Sequence, residues 1–139
     1  MSESIKKITV PTAIVASALL LMAAPMLAFA ANPHFIGTPT CSIVNGDLEC
    51  TGKVAGLGNV STVQAFLQAT VTCTNVGGNV PQGLVKGPQE TLTVQNGQTV
   101  FDLTIANPCP DHMTATFKNV ALVIGGTTLP ISGTFTASA

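Results

Sequence analysis

Few side chains in this chain could do chemistry. His34 and His112 are its two histidines, and Asp111 precedes His112. A catalytic nucleophile needs a base within hydrogen-bond reach, and that base needs a third group to orient it. Asp111 and His112 are sequence neighbours, and neighbours on an extended chain point apart, so the pair reads as a solvated loop. No G-x-S-x-G elbow is present to raise a serine above a sheet. Asp47 and Glu49 sit two apart, so both project from one face of a strand toward solvent. Paired-carboxylate hydrolysis needs two carboxyls flanking a bond instead. No D-x-[DN]-x-[DN]-G run gathers oxygens for calcium. His34 lies near the start of the expected mature chain, where an amine and an imidazole can hold copper, but Pro33 lacks the amide such a site uses. The residues therefore name no catalytic group, no metal site and no cofactor.

Cys41, Cys50, Cys73 and Cys109 remain. A four-thiolate metal site would want C-x2-C spacing. Two disulfides fit better, and four cysteines allow three pairings. The elements that carry them decide. Cys41-Ser42-Ile43-Val44 and Asp47-Leu48-Glu49-Cys50 flank Asn45-Gly46, the strongest short-range hairpin signal, because a type I′ turn needs positive φ at both central residues. Counting outward sets Ile43 opposite Leu48, Ser42 opposite Glu49, and Cys41 opposite Cys50 in a non-hydrogen-bonded pair, whose Cα atoms lie close. The sequence thus predicts Cys41–Cys50 and, by remainder, Cys73–Cys109. On the chain-entropy model the two loops contribute about 2.7 and about 3.8 kcal/mol.

Residues 1–30 read as a signal peptide. Lys6 and Lys7 precede an apolar run, and Ala28-Phe29-Ala30 fits an A-x-A cleavage site. The alternative is an uncleaved anchor, since the run is long enough to span, although Pro11 and Pro25 interrupt it. Cleavage leaves 109 of the 139 residues, 31–139, as one secreted domain. Its three lysines face five carboxylates, formally −2, a balance that attracts neither nucleic acid nor anionic lipid. The mature domain is not expected to span a membrane.

From Val63 to Thr74, apolar and polar residues alternate without a break except at Phe66, the mark of a long half-buried strand. Phe66 is expected to be exposed or tucked under a loop. Asn75 to Pro88 carries Gly77-Gly78, Pro81, Gly83 and Gly87-Pro88 and reads as a long loop. Asn96-Gly97 predicts a second hairpin with Leu92 opposite Phe101. Ala106 to His112 reads as a Pro-rich crossing that contains Cys109. Met113, Ala115 and Phe117 alternate with polar residues, and Gly125-Gly126 turns a last hairpin that sets Leu122 opposite Leu129. Pro130 cannot donate to a ladder, so its strand should be an edge or carry a bulge. Asn32 to Pro39 reads as an extended lead-in.

These elements predict an all-β fold, a small antiparallel β-sandwich of immunoglobulin-like type, with an open barrel as second choice. The sequence has no tryptophan to pack on an inter-sheet disulfide, so a true antibody-type domain is not supported. If the domain binds a partner, the Cys73–Cys109 bridge should hold the two loops at one end and gather Asn79, Leu84, Val85, Lys86, Asp111 and His112 there. Leu84 and Val85 matter most, since apolar loop residues either anchor a partner or pack down onto Phe66 or the sheet edge. Asn59-Val60-Ser61 is a glycosylation sequon in a turn.

Cys50-x-Gly52-Lys53, Gly56-Leu57-Gly58-Asn59, Cys73-x-Asn75-x-Gly77-Gly78-Asn79 and Asn96-Gly97-x-x-x-Phe101 together resemble a group of uncharacterised small secreted two-disulfide β-domain proteins of prokaryotes. That resemblance implies a secreted two-disulfide domain and carries no functional residues. The chain is similar, in size, composition and disulfide count only, to secreted apoproteins that hold enediyne chromophores. The expected function is a non-catalytic module, secreted or at the cell surface, binding an extracellular protein or glycan or serving a structural role. An inhibitor or small-molecule carrier comes second, and an enzyme has the least support.

Overall fold

Asn45 and Gly46 adopt positive φ, 52° and 84°, and the strands on either side zip in the expected register. β1 (His34–Val44) and β2 (Asp47–Ala55) place Ile43 against Leu48 and Cys41 against Cys50. Cys41 and Cys50 are bridged with Cα atoms 4.0 Å apart, and Cys73 and Cys109 form the second disulfide. A computed structural model describes residues 32–139; the leader expected over 1–30 lies outside the described residues. The lead-in is itself part of β1: His34, Phe35 and Ile36 pair with Ala55, Val54 and Lys53, and three residues, Gly37 to Pro39, bulge opposite Gly52.

β3 (Thr62–Asn75) is the long half-buried strand, its odd-numbered residues from Val63 to Cys73 all buried. Burying each valine or leucine of that face contributes roughly 1.5–3 kcal/mol. The segment read as a loop is a strand instead. β4 (Gly78–Lys86) folds back on β3 through a turn at Val76-Gly77, pairing Asn79 with Thr74, Leu84 with Thr70 and Lys86 with Gln68. A bulge at Gln82, beside Gly83 at φ 75°, absorbs Pro81. β5 (Glu90–Thr93) then pairs with the start of β3.

Asn96-Gly97 turns as its residue types require, with φ 54° and 74°, but it does not close a two-stranded hairpin. Only Gln95 and Gln98 bridge there. β6 (Thr99–Ile105) leaves to pair with β2, setting Phe101 against Gly52. Leu92 accordingly faces Val63, not Phe101. The turn is the corner at which the chain changes sheets, held by the Thr99 hydroxyl donating to the Thr93 carbonyl at 2.7 Å.

β7 (Thr114–Ile124) pairs with β3 along its length. Asn119 and Val120 together face Ala69, and Asn119 takes φ 52°. This bulge resets the alternation: Phe117 and Val120 both point inward, and Leu122 and Ile124 follow. β8 (Thr127–Pro130) pairs Leu129 with Leu122 as expected and has no other neighbour, so Pro130 lies on an edge. β9 (Phe135–Ala137) follows β8 along the same edge of β7, away from β3, pairing Phe135 with Phe117 and Ala137 with Ala115.

The result is all-β and antiparallel, with no helix among the described residues. One sheet runs β9-β7-β3-β4, with β5 beside β3 and β8 beside β7; the other runs β1-β2-β6. Leu48, Cys50, Val54, Leu103 and Ile105 of the smaller sheet meet Leu67, Val71, Phe117, Leu122 and Ile124 of the larger in one core. Phe101 packs at 6.1 Å from Phe35, over Gly52, where a Cβ would come within 2.9 Å of its ring.

Candidate functional site

All four cysteines are spent in disulfides, which overturns a four-thiolate metal site. The Cys73–Cys109 bridge, Cα to Cα 5.5 Å, ties the crossing between β6 and β7 to the tip of the β3–β4 hairpin. Asn107 clamps the same crossing to the first turn. Its backbone N–H donates to Asp47 Oδ1 at 2.9 Å, its side-chain amide donates to the Gly46 carbonyl at 3.1 Å, and its Oδ1 accepts from Cys109 N–H at 2.8 Å. Inside the hairpin, Thr74 Oγ1 donates to Asn79 Oδ1 at 3.0 Å and Gly77 N–H donates to Asn75 Oδ1 at 2.7 Å.

Three expected contact residues, Asn79, Asp111 and His112, sit exposed at this end, His112 with φ 73°. The other three do not. Leu84, Val85 and Lys86 lie on β4 opposite Thr70, Ala69 and Gln68, five to seven residues from Asn79, or roughly 16–23 Å along a strand. The grouping of all six at one end is thus corrected, because 78–86 runs alongside β3 as a strand and does not loop over its tip. The two apolar residues also part company. Val85 shares the inward face with Ala69 and packs on the core, whereas Leu84 is 56% exposed. Lys86 lies over the half-buried Phe66 ring, Nζ 5.6 Å from its centre, a contact worth about 0.5–1 kcal/mol at such a site.

Sequence reasoning passed over Val76 and Val80. Val76 is fully exposed at the hairpin tip and Val80 is half exposed. With Leu84 they make three branched apolar side chains on one hairpin. The signal was a valine set between Asn75 and Gly77, where turn chemistry asks for no hydrophobe. Asn59 is exposed in the turn between β2 and β3, so its sequon is accessible. His34 is exposed, its Nδ1 2.9 Å from the Asn32 carbonyl.

The outer faces of the two sheets differ in charge. On the smaller sheet Glu49 lies diagonal to Asp102 across the β2–β6 ladder, since Glu49 faces Thr104 and Thr51 faces Asp102. A hydrogen bond to Asp102, together with its like charge, holds the Glu49 carboxyl above its ordinary 4.5. Asp47 lies nearby on the same strand. On the larger sheet no aspartate or glutamate occurs in β3, β4, β7, β8 or β9, while Lys86 and Lys118 are both exposed there. Two surface grooves of about 500 Å³ each complete the relief. One lies at the corner between the sheets, beside Lys53, Gln95 and Gln98. The other, about 530 Å³, crosses the larger sheet at the Asn119 bulge. The 131–134 segment walls it, held down where Ile131 N–H donates to the Val120 carbonyl at 2.8 Å.

No helix among the described residues is long and apolar enough to cross a membrane, and two closed disulfides suggest an oxidising, extracellular setting. No protein-family model, no curated protein and no solved structure matches this chain.

Proposed function

We propose that the chain is a non-catalytic module of the secretome or cell surface, one that works by binding another extracellular protein. A single observation carries this reading: three apolar residues are exposed along the β3–β4 hairpin, Val76 at its tip, Val80 opposite Cys73, and Leu84 on the outer face opposite Thr70, and the tip is tied by Cys73–Cys109. Exposed apolar side chains on a rigid support are the kind that anchor a partner. The edge of β4 is blunted by Pro81 and by the bulge at Gln82, so contact would run through side chains rather than by adding a strand. Secretion is supported by the leader pattern of residues 1–30 together with the disulfides. An immunoglobulin-like reading draws support from the strand order, with β1, β2 and β6 standing as A, B and E, and β4, β3, β7 and β8 as C′, C, F and G. The same projecting hairpin suits an inhibitor, which would block the protein it captures.

Affinity capture from native culture medium and envelope, read by mass spectrometry, tests the reading. Val76→Ser with Leu84→Ser should abolish recovery of the captured protein and leave the melting temperature unchanged. Undiminished recovery at unchanged stability would remove this hairpin as the contact.

A further inference from the structure

We propose that the groove at the Asn119 bulge binds an acidic oligosaccharide. The site is distinct from the β3–β4 hairpin and stands whether or not that hairpin binds a protein. Four segments converge on it: Gln68 from β3, Lys118 and Asn119 from β7, Thr128 from β8, and Ser132 and Thr134 from the crossing to β9. Amides and hydroxyls both donate and accept. That mixture suits the vicinal hydroxyls of a sugar, whereas a bare carboxylate or phosphate would need donors alone. Pro130, also in the lining, offers an apolar surface to the C–H face of a ring.

The bulge makes the groove. With two residues of β7 opposite Ala69, Lys118 and Asn119 are both exposed in succession while Val120 turns inward. An unbroken strand would send neighbours to opposite faces. The side-chain hydrogen bonds of the described residues lie elsewhere, at His34, Gln64–Thr91, Gln64–Gln89, Thr74–Asn79, Asn75, Gln82, Thr99 and around Asn107. Among the described residues, none of them occupies the groove's polar groups.

Charge selects an acidic sugar. Lys118 stands in the groove beside Thr70, and Lys86 stands across Gln68 on the neighbouring strand, their Cα atoms about 12 Å apart by strand spacing. Every strand of this face is free of carboxylates except β5 at Glu90, so the face carries a positive balance, with Lys118 in the groove and Lys86 beside it, its Nζ over Phe66. The acidic groups Asp47, Glu49 and Asp102 belong to the other sheet.

The test is calorimetric titration of the oxidised protein with tetragalacturonate, with maltotetraose as the neutral control, alongside amide shift mapping by NMR. Tetragalacturonate should bind with a Kd of about 1 mM or tighter and weaken as salt is added. Shifts should fall on 66–70, 118–121 and 128–134. Lys118→Gln should weaken binding roughly tenfold or more, as loss of a charged hydrogen bond does. Asn119→Gly keeps a residue suited to positive φ and removes only the amide; it should weaken binding at unchanged melting temperature. Val76→Ser with Leu84→Ser should leave the sugar affinity unchanged. Equal binding of maltotetraose, shifts confined to another face, an unaffected Lys118→Gln variant, or no binding by wild type would each overturn the proposal.

Discussion

Gly87 joins β4 to β5 and should be the least replaceable glycine facing the smaller sheet. Its N–H donates to the Leu67 carbonyl at 2.8 Å, so the chain stays seated along β3 through the join. A Cβ built there would fall well inside van der Waals contact with the Thr104 carbonyl oxygen, 3.2 Å from the Thr104 carbonyl carbon and 3.6 Å from Ile105 Cα. Those atoms are backbone in β6, itself locked to β2 by pairs from Leu48–Ile105 to Val54–Thr99. No rotamer change can move them, so the sheets would have to separate. Overpacking against yielding side chains costs about 1–3 kcal/mol; against paired backbone the cost should reach at least about 3 kcal/mol. A domain of this size loses about 4–8 °C per kcal/mol, so Gly87→Ala should melt at least about 12 °C below wild type. Gly77→Ala is the control, because its nearest neighbour is the Asn75 side-chain oxygen at 3.2 Å; it should stay within about 1 kcal/mol. The chain has no tryptophan or tyrosine, so far-UV circular dichroism with the disulfides intact is the suitable readout. A Gly87→Ala melt within about 4 °C of wild type, under about 1 kcal/mol, would refute the close approach of the sheets at this point.

Two further outcomes follow from the geometry. Leu67, fully buried on β3, should cost roughly 2–5 kcal/mol when changed to alanine, and its outward neighbour Gln68 within about 0.5 kcal/mol; equal costs in urea melts would show the face assignment to be wrong. Glu49, held above 4.5 by Asp102, binds a proton more readily folded than unfolded. Its contribution to stability therefore falls as pH rises from 4.5 through the raised value, and Glu49→Gln should remove that contribution and be no less stable at neutrality. A melting-temperature profile with the same slope in both proteins would count against the pair.

Local chemistry was legible in the sequence and long-range partnership was not. Asn45-Gly46 fixed its own register because a two-residue turn leaves no slack, and that register carried both disulfides. The face of β3 was readable because one side is buried and period two follows. β4 was not: as an edge strand exposed on almost every residue, it has no buried face to impose alternation, so Pro81 and Gly83 spoke for a loop. Asn96-Gly97 specified its turn correctly, yet the strands it joins find partners in different sheets, which no local pattern encodes. Glu49 and Asp102 lie too far apart in sequence for a pattern to join them, and meet only through the β2–β6 ladder. The groove at Asn119 did leave a trace. Inward positions change from odd at Ala115 and Phe117 to even at Leu122 and Ile124, and such a change of parity requires a bulge between them.

The two disulfides also differ in when they can close. Cys41 and Cys50 are 9 residues apart in a hairpin whose turn is set by its own residues, so their thiols meet on the microsecond scale of hairpin formation and need no other strand in place, while the slower oxidation proceeds at the rate the oxidant sets. Cys73 and Cys109 are 36 apart. The folding of β4 and β5 along β3 and the crossing of β6 to the other sheet bring them together. During oxidative folding the species that accumulates should hold the first bridge alone, and closure of the second marks the moment at which the two sheets have come together. In a cell, a thiol still free at Cys109 would thus distinguish an unfinished molecule from a finished one.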